Sequence, residues 1–542
     1  MKNKAALFLG AIFLAAPLAG CGGTQSPDAV VVYVEYNGAL GTYDGEVEAA
    51  IEEKFEADTG EPIDLRVEAV STGDAGNKMG QAMASSSVQL DAFVYHYGSD
   101  SPLNGYILDD AATDLTDYRY LAPEFFRYHN SEEYDPEGLS YYAGVYQGGL
   151  YALSSQEYTS GWGVLVRKDH MENTDYDPDE YDIANPDCKS LTISEFYDLL
   201  VQLRQNNESV IRPLVGMSWE VDEVLGQCFD SVGYGEKVLD ADGNVIPSYA
   251  EEGYLELMEF ERRLQLENLW IENPSATTVD LRQYFASGRG SVYVEWPEVT
   301  SQASVAASLK EEVGVDCIML APLRADDEET SKGNLRREYA FKGMMVPYKS
   351  ENFELLLKYM NWLYSSTDNY ELAYYGIKGV HWVEGEDVTI GGRTYMTWAY
   401  PPDREEEFSR ADPYSGIFCL LESINLSSRL YAGYTAQQMA WIDEIRTGPG
   451  YPERYVTEGV MLPAIPSTDR ELLRADTAHG TEYVGVRKYA WSNADIPDGE
   501  TLSGLFYEMR DNLYGKYRVL IDYYTTSYYE ILEERGKGET AS

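Results

Sequence analysis

A tryptophan and a carboxylate stand side by side where a short apolar stretch meets a proline. Ser291 to Val294 is rich in β-branched and aromatic residues, which predicts a buried strand, and Glu295, Trp296 and Pro297 follow it. The indole ring of Trp296 can stack on an apolar ligand face, while the Glu295 carboxylate can accept hydrogen bonds from hydroxyl groups. Core packing of Trp296 is the alternative interpretation, and strand alternation can turn Glu295 to the opposite face.

Further aromatic and polar side chains follow other predicted strands. Ligands of open α/β sheets bind outside the carboxyl ends of the strands, so residues at these positions are candidates for ligand contact. Trp219 follows one such strand, and Trp398 and Tyr400 are additional candidates. For His381 and Trp382 a packed loop is the alternative interpretation. The predicted ligand-binding set is Trp296, Trp219, Tyr36, Asn37, Tyr97, Glu295, Trp162, His381 and Trp382.

The start of the chain predicts alternating strands and helices. Apolar runs at 29–36, 63–67 and 90–95 predict strands, and the segments 46–57 and 77–86 predict the helices between them. This β-α-β-α-β order implies a parallel sheet with right-handed crossovers. The length of 542 residues allows two or more domains.

Later segments predict further helices. Thr192 with Glu195 three residues on is a capping-box pattern, and it predicts a helix that runs to about Asn206. Apolar residues recur at helical spacing within 251–268. The tyrosine-rich stretch 502–534 predicts one long helix or a pair of helices.

The N-terminus resembles a bacterial lipoprotein signal. Lys2 and Lys4 precede a short apolar segment at 5–17, and small residues lead to Cys21. The resemblance implies that 1–21 holds a signal peptide with its lipobox, and that Cys21 becomes the lipidated, palmitate-bearing first residue of the mature chain. Residues 22–28 would then be a flexible tether on the extracytoplasmic face of the cell membrane. No later apolar run reaches the roughly 18 residues of a spanning helix.

The charge balance argues against a polyanionic partner. The chain has 41 basic and 92 acidic residues, a net charge of −51, which disfavours nucleic acid and acidic glycans. Tyrosine is abundant, with 46 residues, and it can pack through its ring while its hydroxyl forms hydrogen bonds. This residue type suits a sugar-binding surface, although core and surface packing explain it equally well.

No catalytic constellation stands out in the sequence. The chain has five histidines, none of them in an H-E-x-x-H motif, and it has no G-x-S-x-G elbow and no P-loop. We therefore expect no enzyme activity and no cofactor. A glycoside hydrolase that uses Glu295 and Glu220 as its carboxylate pair is the enzymatic alternative.

Two possible metal or disulfide features are weak. Asp240, Asp242, Asn244 and Glu251 fit positions of a calcium loop, but Val245 stands where that loop needs glycine, so no metal is expected. The cysteines after the lipobox lack C-x-x-C spacing, so we expect free thiols, with disulfides left open. These cysteines are Cys188, Cys228, Cys317 and Cys419.

Five stretches follow one another in an order typical of one family. They are 51–60, 81–93 with an Asp-x-Phe ending, 149–153 leading to 164–168, 191–196 and 285–292. Behind the lipobox, they resemble the extracellular solute-binding proteins of family 1, the lipid-anchored receptors of carbohydrate ABC importers. The run Tyr375 to Trp382 resembles a signature of the larger oligosaccharide-type members. The resemblance spans about 29–400, and the long C-terminal region departs from the shorter members.

This resemblance implies a two-lobed α/β fold of the type II periplasmic-binding-protein class, with a sugar cleft between the lobes. Hinge crossings are expected near 151–162, 294–300 and 338–348. The predicted domains are a signal peptide at 1–21, a tether at 22–28, an N-terminal lobe at 29–155 plus 297–342, a C-terminal lobe at 156–296 plus 343–450, and a C-terminal helical extension at 451–542.

The resemblance also implies a function. A monomeric, lipid-anchored protein would capture a neutral mono- or oligosaccharide by hinge closure and deliver it to the permease of an ABC importer. The alternatives are the hydrolase described above and a carbohydrate sensor or adhesin that takes no part in transport.

Overall fold

The described part of the chain begins at Ala29. In the computed structural model the described residues are 29–36, 38, 40–85, 87–96, 106–107, 110–129, 131, 133–134, 139–146, 148–155, 163–231, 237–271, 278–294, 299–328, 342–423, 425–426, 429–447, 462, 465–466, 468–492 and 494–539. The predicted signal peptide, the tether and Cys21 lie outside these residues.

Short strands and longer helices make up the described chain. The strands are β1 (Ala29–Glu35), β2 (Asp64–Val70), β3 (Ala92–His96), β4 (Val145–Tyr146), β5 (Gly149–Leu150), β6 (Ala152–Ser154), β7 (Val164–Arg167), β8 (Leu214–Val215), β9 (Lys237–Leu239), β10 (Val245–Pro247), β11 (Trp270–Ile271), β12 (Val292–Tyr293), β13 (Cys317–Leu320), β14 (Lys342–Met345), β15 (Val383–Glu384), β16 (Val388–Ile390), β17 (Arg393–Tyr395), β18 (Thr397–Ala399) and β19 (Leu430–Tyr431).

The helices alternate with these strands and then dominate the C-terminal region. They are α1 (Asp44–Thr59), α2 (Thr72–Ala84), α3 (Pro123–His129), α4 (Leu139–Tyr142), α5 (Lys168–Met171), α6 (Pro178–Tyr181), α7 (Ile193–Asn206), α8 (Ser218–Gly226), α9 (Glu252–Leu266), α10 (Thr278–Ala286), α11 (Val299–Val313), α12 (Phe353–Tyr364), α13 (Thr367–Tyr375), α14 (Glu405–Phe408), α15 (Ala436–Thr447), α16 (Arg470–Trp491), α17 (Leu502–Tyr514) and α18 (Arg518–Glu539). Within the described residues, no helix is long and apolar enough to cross a membrane.

The first sheet has the strand order β2-β1-β3-β14-β6. Strands β1, β2 and β3 are parallel, which confirms the predicted β-α-β-α-β start, while β14 runs antiparallel between β3 and β6. The valines of β1 are buried on both faces, as expected of a central parallel strand. Helix α1 covers this sheet with Val47, Ile51 and Phe55, which recur at helical spacing.

The second sheet has the order β11-β8-β12-β7-β13. Strands β8, β11 and β12 are parallel, and β7 runs antiparallel to its neighbours β12 and β13. Helices α7, α8 and α9 cover it, and residues of the C-terminal helices α16 and α17 belong to the same core. The two sheets with their helices form the two α/β lobes that the family resemblance implies.

The boundary between the lobes differs from the prediction. The segment 297–342 was expected in the N-terminal lobe, but its strand β13 pairs with β7 in the second sheet. The segment 343–450 was expected in the C-terminal lobe, but α12 packs in the core of the first lobe. The stretch from Leu430 onward, with α15, joins a core of the second lobe, and Val388, Ile390 and Tyr395 of the β16–β17 hairpin pack against the same core.

The crossing points explain this difference. The chain passes from the first sheet to the second between β6 and β7, and it returns between β13 and β14, in line with the crossings predicted near 151–162 and 338–348. The crossing predicted at 294–300 is wrong, because α11 and β13, which follow it, stay with the second lobe. The described stretch 284–294 is therefore part of the second lobe rather than a hinge.

Several local predictions are confirmed. Thr192 and Glu195 form the capping box of α7, with both reciprocal hydrogen bonds present. The tyrosine-rich C-terminal stretch, expected as one long helix or a pair of helices, is the pair α17 and α18. The cysteines expected as free thiols are free, namely Cys188, Cys228, Cys317 and Cys419.

A buried aspartate joins three elements of the first lobe. Asp91 is 1% exposed, and its carboxylate accepts hydrogen bonds from the Val31 amide (2.9 Å), the Ser350 hydroxyl (2.7 Å) and the Asn352 amide (3.2 Å). Val31 belongs to β1, and Asn352 is the residue before α12. The aspartate of the Asp-x-Phe pattern thus ties the start of β3 to the central strand and to the helix that covers it.

Replacing this aspartate should destabilise the protein strongly. We expect Asp91→Ala to lower the free energy of unfolding by about 3 kcal/mol, because it leaves the buried Val31 amide and two part-buried donors without their acceptor. The control is Asp64→Ala, which removes an exposed pair with Arg66 and should cost below about 1 kcal/mol. Urea unfolding of both variants checks this, and equal losses would contradict the role assigned to Asp91.

Candidate ligand-binding site

Three ionisable side chains meet at one edge of the first sheet. Glu35 ends β1, His96 ends β3, and Lys342 opens β14 directly opposite His96. Because β1 and β3 are parallel and β14 is antiparallel to them, all three residues lie at the carboxyl-terminal edge of the parallel strands. This is the edge at which open α/β sheets bind their ligands.

Glu35 and His96 form a pair across this edge. His96 Nδ1 lies 3.2 Å from Glu35 Oε1, and the His96 amide donates to Glu35 Oε2 at 3.0 Å. Burial alone would raise the pKa of the Glu35 carboxyl, but hydrogen bonds from His96 and Thr72 lower that pKa to about 2. Glu35 is therefore a carboxylate throughout the neutral pH range.

Lys342 has its own acidic partner. Its ammonium group lies 2.5 Å from Glu422 Oε1, and its backbone amide donates to the Ser155 hydroxyl at 2.9 Å. Ser155 directly follows β6, so this contact holds the two antiparallel strands together at the edge. The cation at the edge is thus compensated by a carboxylate rather than left open for an anionic ligand.

Tyr36 extends the edge toward a second acidic group. The ring is half-buried, and its hydroxyl donates to the Ser415 carbonyl at 3.4 Å. Asp44 holds Ser415 in place by accepting from its amide (2.9 Å) and its hydroxyl (2.7 Å). Burial, followed by the charges of Asp44 and Asp412, raises the pKa of Tyr36, while Lys342 opposes this rise, so the phenol stays a neutral donor.

Four aromatic rings form a connected group that begins beside Asp412. We call this group the aromatic strip, and its members are Trp398, Tyr400, Tyr431 and Tyr434. The Tyr400 hydroxyl donates to Asp412. Ring centroids are 5.2 Å apart for Trp398 and Tyr400, 4.9 Å for Trp398 and Tyr431, and 5.4 Å for Tyr431 and Tyr434. All four rings are half-buried, so they pack on one another while part of each surface stays accessible.

The aromatic strip reaches the second lobe at its far end. The Tyr434 hydroxyl lies 3.1 Å from the Ser304 hydroxyl of α11, and Gln438 donates to the Ala303 carbonyl at 3.0 Å. Helix α11 starts at Val299, shortly after the predicted Glu295 and Trp296. The strip therefore joins the ligand edge of the first sheet to a helix that follows the ligand edge of the second.

Trp219 lies at the corresponding edge of the second sheet. Strand β8 ends at Val215, and Trp219 follows in the first turn of α8. The half-buried indole packs against the second-lobe core, and its Nε1 donates to Met217 Sδ at 3.4 Å. The Glu220 carboxylate accepts from the Met217 amide at 2.8 Å and caps this helix. The prediction that Trp219 follows a strand end is therefore confirmed, although it begins a helix there.

The structure does not describe five of the predicted site residues. Asn37, Tyr97, Trp162, Glu295 and Trp296 lie outside the described residues. Their roles stay predictions.

His381 and Trp382 are not surface residues of a cleft. They are 1% and 2% exposed, and each satisfies a polar atom of the turn that ends α13. His381 Nδ1 accepts from the Ile377 amide at 3.0 Å, and Trp382 Nε1 donates to the Gly376 carbonyl at 2.9 Å. Their selection as ligand-binding residues is therefore wrong, because their polar atoms fold the turn and their rings are buried.

Sequence reasoning missed Tyr431 and Tyr434, and gave Trp398 and Tyr400 only a secondary place. The available signal was the aromatic spacing: Trp398 and Tyr400 flank Ala399, and Tyr434 follows Tyr431 by three residues. The pairing of β18 with β19, which brings Trp398 beside Tyr431, is not visible in either segment alone.

The candidate calcium loop is closed by protein donors. The Asp240 carboxylate accepts from the amides of Asp242 (3.0 Å) and Asn244 (2.8 Å), and from the Tyr514 hydroxyl (2.8 Å). These donors occupy the oxygens that a calcium ion would need. In the described part of the chain, no group of three or more His, Cys, Asp or Glu residues could hold a metal ion.

Two α/β lobes with aromatic and charged side chains at their ligand edges define a bilobed binding protein. The family model of the bacterial extracellular solute-binding proteins matches residues 39–370, which is more than half of the chain, so the chain belongs to this family. No curated protein sequence matched the chain.

Three solved structures illustrate the similarity of fold. The chain is similar to the N-glycan transport solute-binding protein NgtS of Streptococcus pneumoniae, at 13% identity and a TM-score of 0.63 over 93% of this chain and 99% of that one. An HMO-binding, ABC-transporter-associated solute-binding protein from Bifidobacterium longum infantis has 13% identity and a TM-score of 0.66 over 93% of this chain and 99% of that one. The alginate-binding protein AlgQ2 has 13% identity and a TM-score of 0.62 over 93% and 98%.

The Glu35–His96 pair predicts a specific loss of stability in acid. The folded state keeps Glu35 deprotonated to about pH 2, below its ordinary pKa of 4.5, so its contribution is complete above about pH 4.5 and is lost as the pH falls toward 2. Glu35→Gln should remove this part of the pH dependence. Urea unfolding at pH 6 and pH 3 measures the difference, and an unchanged pH dependence in the variant would contradict the assignment.

Proposed function

We propose that this chain is an extracytoplasmic, lipid-anchored receptor that binds an oligosaccharide between its lobes and delivers it to the permease of an ABC importer. The observation that carries the proposal is the aromatic strip between the ligand edge of the first lobe and α11. Half-buried aromatic rings offer apolar surface to a sugar, since each sugar unit has an apolar face of C–H groups. Family membership supports the transport role.

Polar groups beside the strip suit the hydroxyl edges of a sugar. Asp412 lies at one end, and Glu422, Lys342 and Tyr36 lie near it at the sheet edge. Carboxylates accept hydrogen bonds from hydroxyls, while the ammonium group and the phenol donate them. Such a set recognises a polyol without requiring charge on the ligand.

The charge of the site favours a neutral ligand. Lys342 and His96 are each paired with a carboxylate, and Asp44 and Asp412 add negative charge nearby. An acidic sugar would meet a repulsive field here. NgtS is described in complexes with Man1GlcNAc and Man5GlcNAc, whereas AlgQ2 is described as binding alginate. The fold therefore occurs in proteins that bind neutral glycans and in proteins that bind acidic ones.

The ligand-binding residues we propose are Tyr36, Trp219 and the aromatic strip. Asn37, Tyr97, Trp162, Glu295 and Trp296 stay in the proposal as residues that follow or precede strands at the ligand edges. Closure of the lobes about the crossings would then bury the sugar between both edges, and the closed form would be what the permease recognises. We expect the protein to act as a monomer.

Removal of one ring of the strip should weaken sugar binding. Calorimetry with a neutral glycan such as Man5GlcNAc, and with an alginate oligosaccharide as the acidic comparison, should give a roughly micromolar Kd for a neutral member only. Trp398→Ala should weaken that binding by about tenfold through loss of a stacking face.

The matched control is Tyr120→Ala, which removes a ring that is 70% exposed on the first lobe outside the strip, and it should leave the Kd unchanged. Trp296→Ala tests the sequence-based candidate in the same assay. Tight binding of alginate, or equal affinity in the Trp398 and Tyr120 variants, would overturn the proposed ligand class or the proposed strip, respectively.

The lipid anchor depends on Cys21. Cys21→Ser should release the protein from membranes into the soluble fraction of bacterial cells, because lipidation at that thiol would be its attachment. Metabolic labelling with a palmitate analogue followed by cell fractionation measures this. Retention of the label in the Cys21→Ser variant would show that the anchor lies elsewhere.

The hydrolase alternative is disfavoured by one residue. One member of its proposed carboxylate pair, Glu220, is 3% exposed and caps α8 through the Met217 amide. Release of free sugar from Man5GlcNAc by the purified protein would support that alternative. Sugar binding without copurification of any permease would favour a sensor or adhesin.

A further inference from the structure

A buried ionic triad joins the C-terminal helices to the second lobe. Arg487 of α16 donates to Asp222 of α8 and to Glu261 of α9, and all three side chains are 0% exposed. Because a buried ion pair depends on its geometry, this contact fixes where α8 and α9 lie relative to α16.

Aromatic residues surround the triad and add further directed contacts. The Tyr254 hydroxyl donates to Asp222 at 2.8 Å, and it lies 2.8 Å from the Tyr483 hydroxyl of α16. The Arg487 guanidinium stacks 4.6 Å from the Trp491 ring centroid. Asp222 is therefore held from the C-terminal region by Arg487 and, through Tyr254, by Tyr483.

The same C-terminal helices supply apolar residues to the second-lobe core. Tyr483, Tyr489, Phe506 and Met509 are buried in the core against which Trp219 packs. This region is therefore not an appendage to the lobe, because a candidate ligand residue rests on a core that the region completes.

Asp222 and Trp219 move together for a geometric reason. They are three residues apart on α8, so both lie on one face of the helix. The helix has only 9 residues and is fixed at its start by the Glu220 cap. A shift of α8 at Asp222 must therefore be felt within one turn, at Trp219.

We propose that the C-terminal region positions Trp219, with Arg487 as the positioning residue and Asp222 as its point of attachment on α8. Arg487 does not itself contact the ligand. The importance of this arrangement for sugar capture rests on the proposed function, but the placement of Trp219 does not.

The triad offers a matched pair of variants. Asp222→Leu releases α8, and Glu261→Met releases α9, while each leaves Arg487 with one carboxylate and so keeps the buried charge balanced. Both remove one carboxylate from the same guanidinium, and Asp222→Leu also removes the acceptor of the Tyr254 hydroxyl. Thermal unfolding checks that both variants are folded at the temperature of measurement.

The readout is the fluorine NMR spectrum of the full chain labelled with 5-fluorotryptophan, recorded without any sugar. The resonances of Trp219 and Trp491 are assigned by their disappearance in Trp219→Phe and Trp491→Phe. Trp491 lies against Arg487, so its resonance should shift in both variants and report that the triad has changed. The Trp219 resonance should shift by more than its linewidth in Asp222→Leu and stay in place in Glu261→Met.

An unmoved Trp219 resonance in Asp222→Leu, or an equal shift in both variants, would overturn the proposal. If Asp222→Leu does not fold, Asp222→Asn keeps the side-chain shape, removes its charge and is judged by the same comparison. Because no sugar is present, failure of this test is distinct from failure of the protein to bind a glycan.

Discussion

The structure depends on the pairing of β14 with strands that lie far from it in the sequence. Met344 stands opposite both Val94 and Leu153. The strand that completes the first sheet therefore comes after all strands of the second sheet in the sequence. An unpaired amide or carbonyl in the buried centre of a sheet is unfavourable, so β14 has to pair with β3 and β6 to satisfy their backbone groups. That return also sets Lys342 beside His96 at the ligand edge.

The ligand edges combine compensated charges with half-buried rings. The pairs Glu35–His96 and Lys342–Glu422 satisfy one another, so the ionic groups need no ligand ion to be stable. The aromatic strip then offers surface that water solvates poorly and that a sugar face can cover. Because the charges are paired and the rings lie beside them, a chain with a net charge of −51 can present a stacking surface for a polyol.

The C-terminal helices are part of the second lobe. Arg487 lies in α16, yet its acidic partners belong to α8 and α9 of the second lobe. The second lobe is thus completed by the last helices of the chain, much as the first is completed by β14. Each lobe therefore acquires its final shape only when distant parts of the sequence have joined it.

Local sequence determined the local structure. The β-branched run of β1, the capping box of Thr192 and Glu195, and the helical character of the C-terminal stretch each follow from residues that are neighbours in the chain. The ordered motifs also determined the family and the two-lobed fold.

Only the tertiary structure decided which sheet β13 enters, that His381 and Trp382 are buried, and that Trp398 meets Tyr431. The physical reason is the range of the interactions. Helix caps and the period of buried residues depend on residues a few positions apart, whereas strand pairing and the exposure of ring faces depend on partners far along the chain.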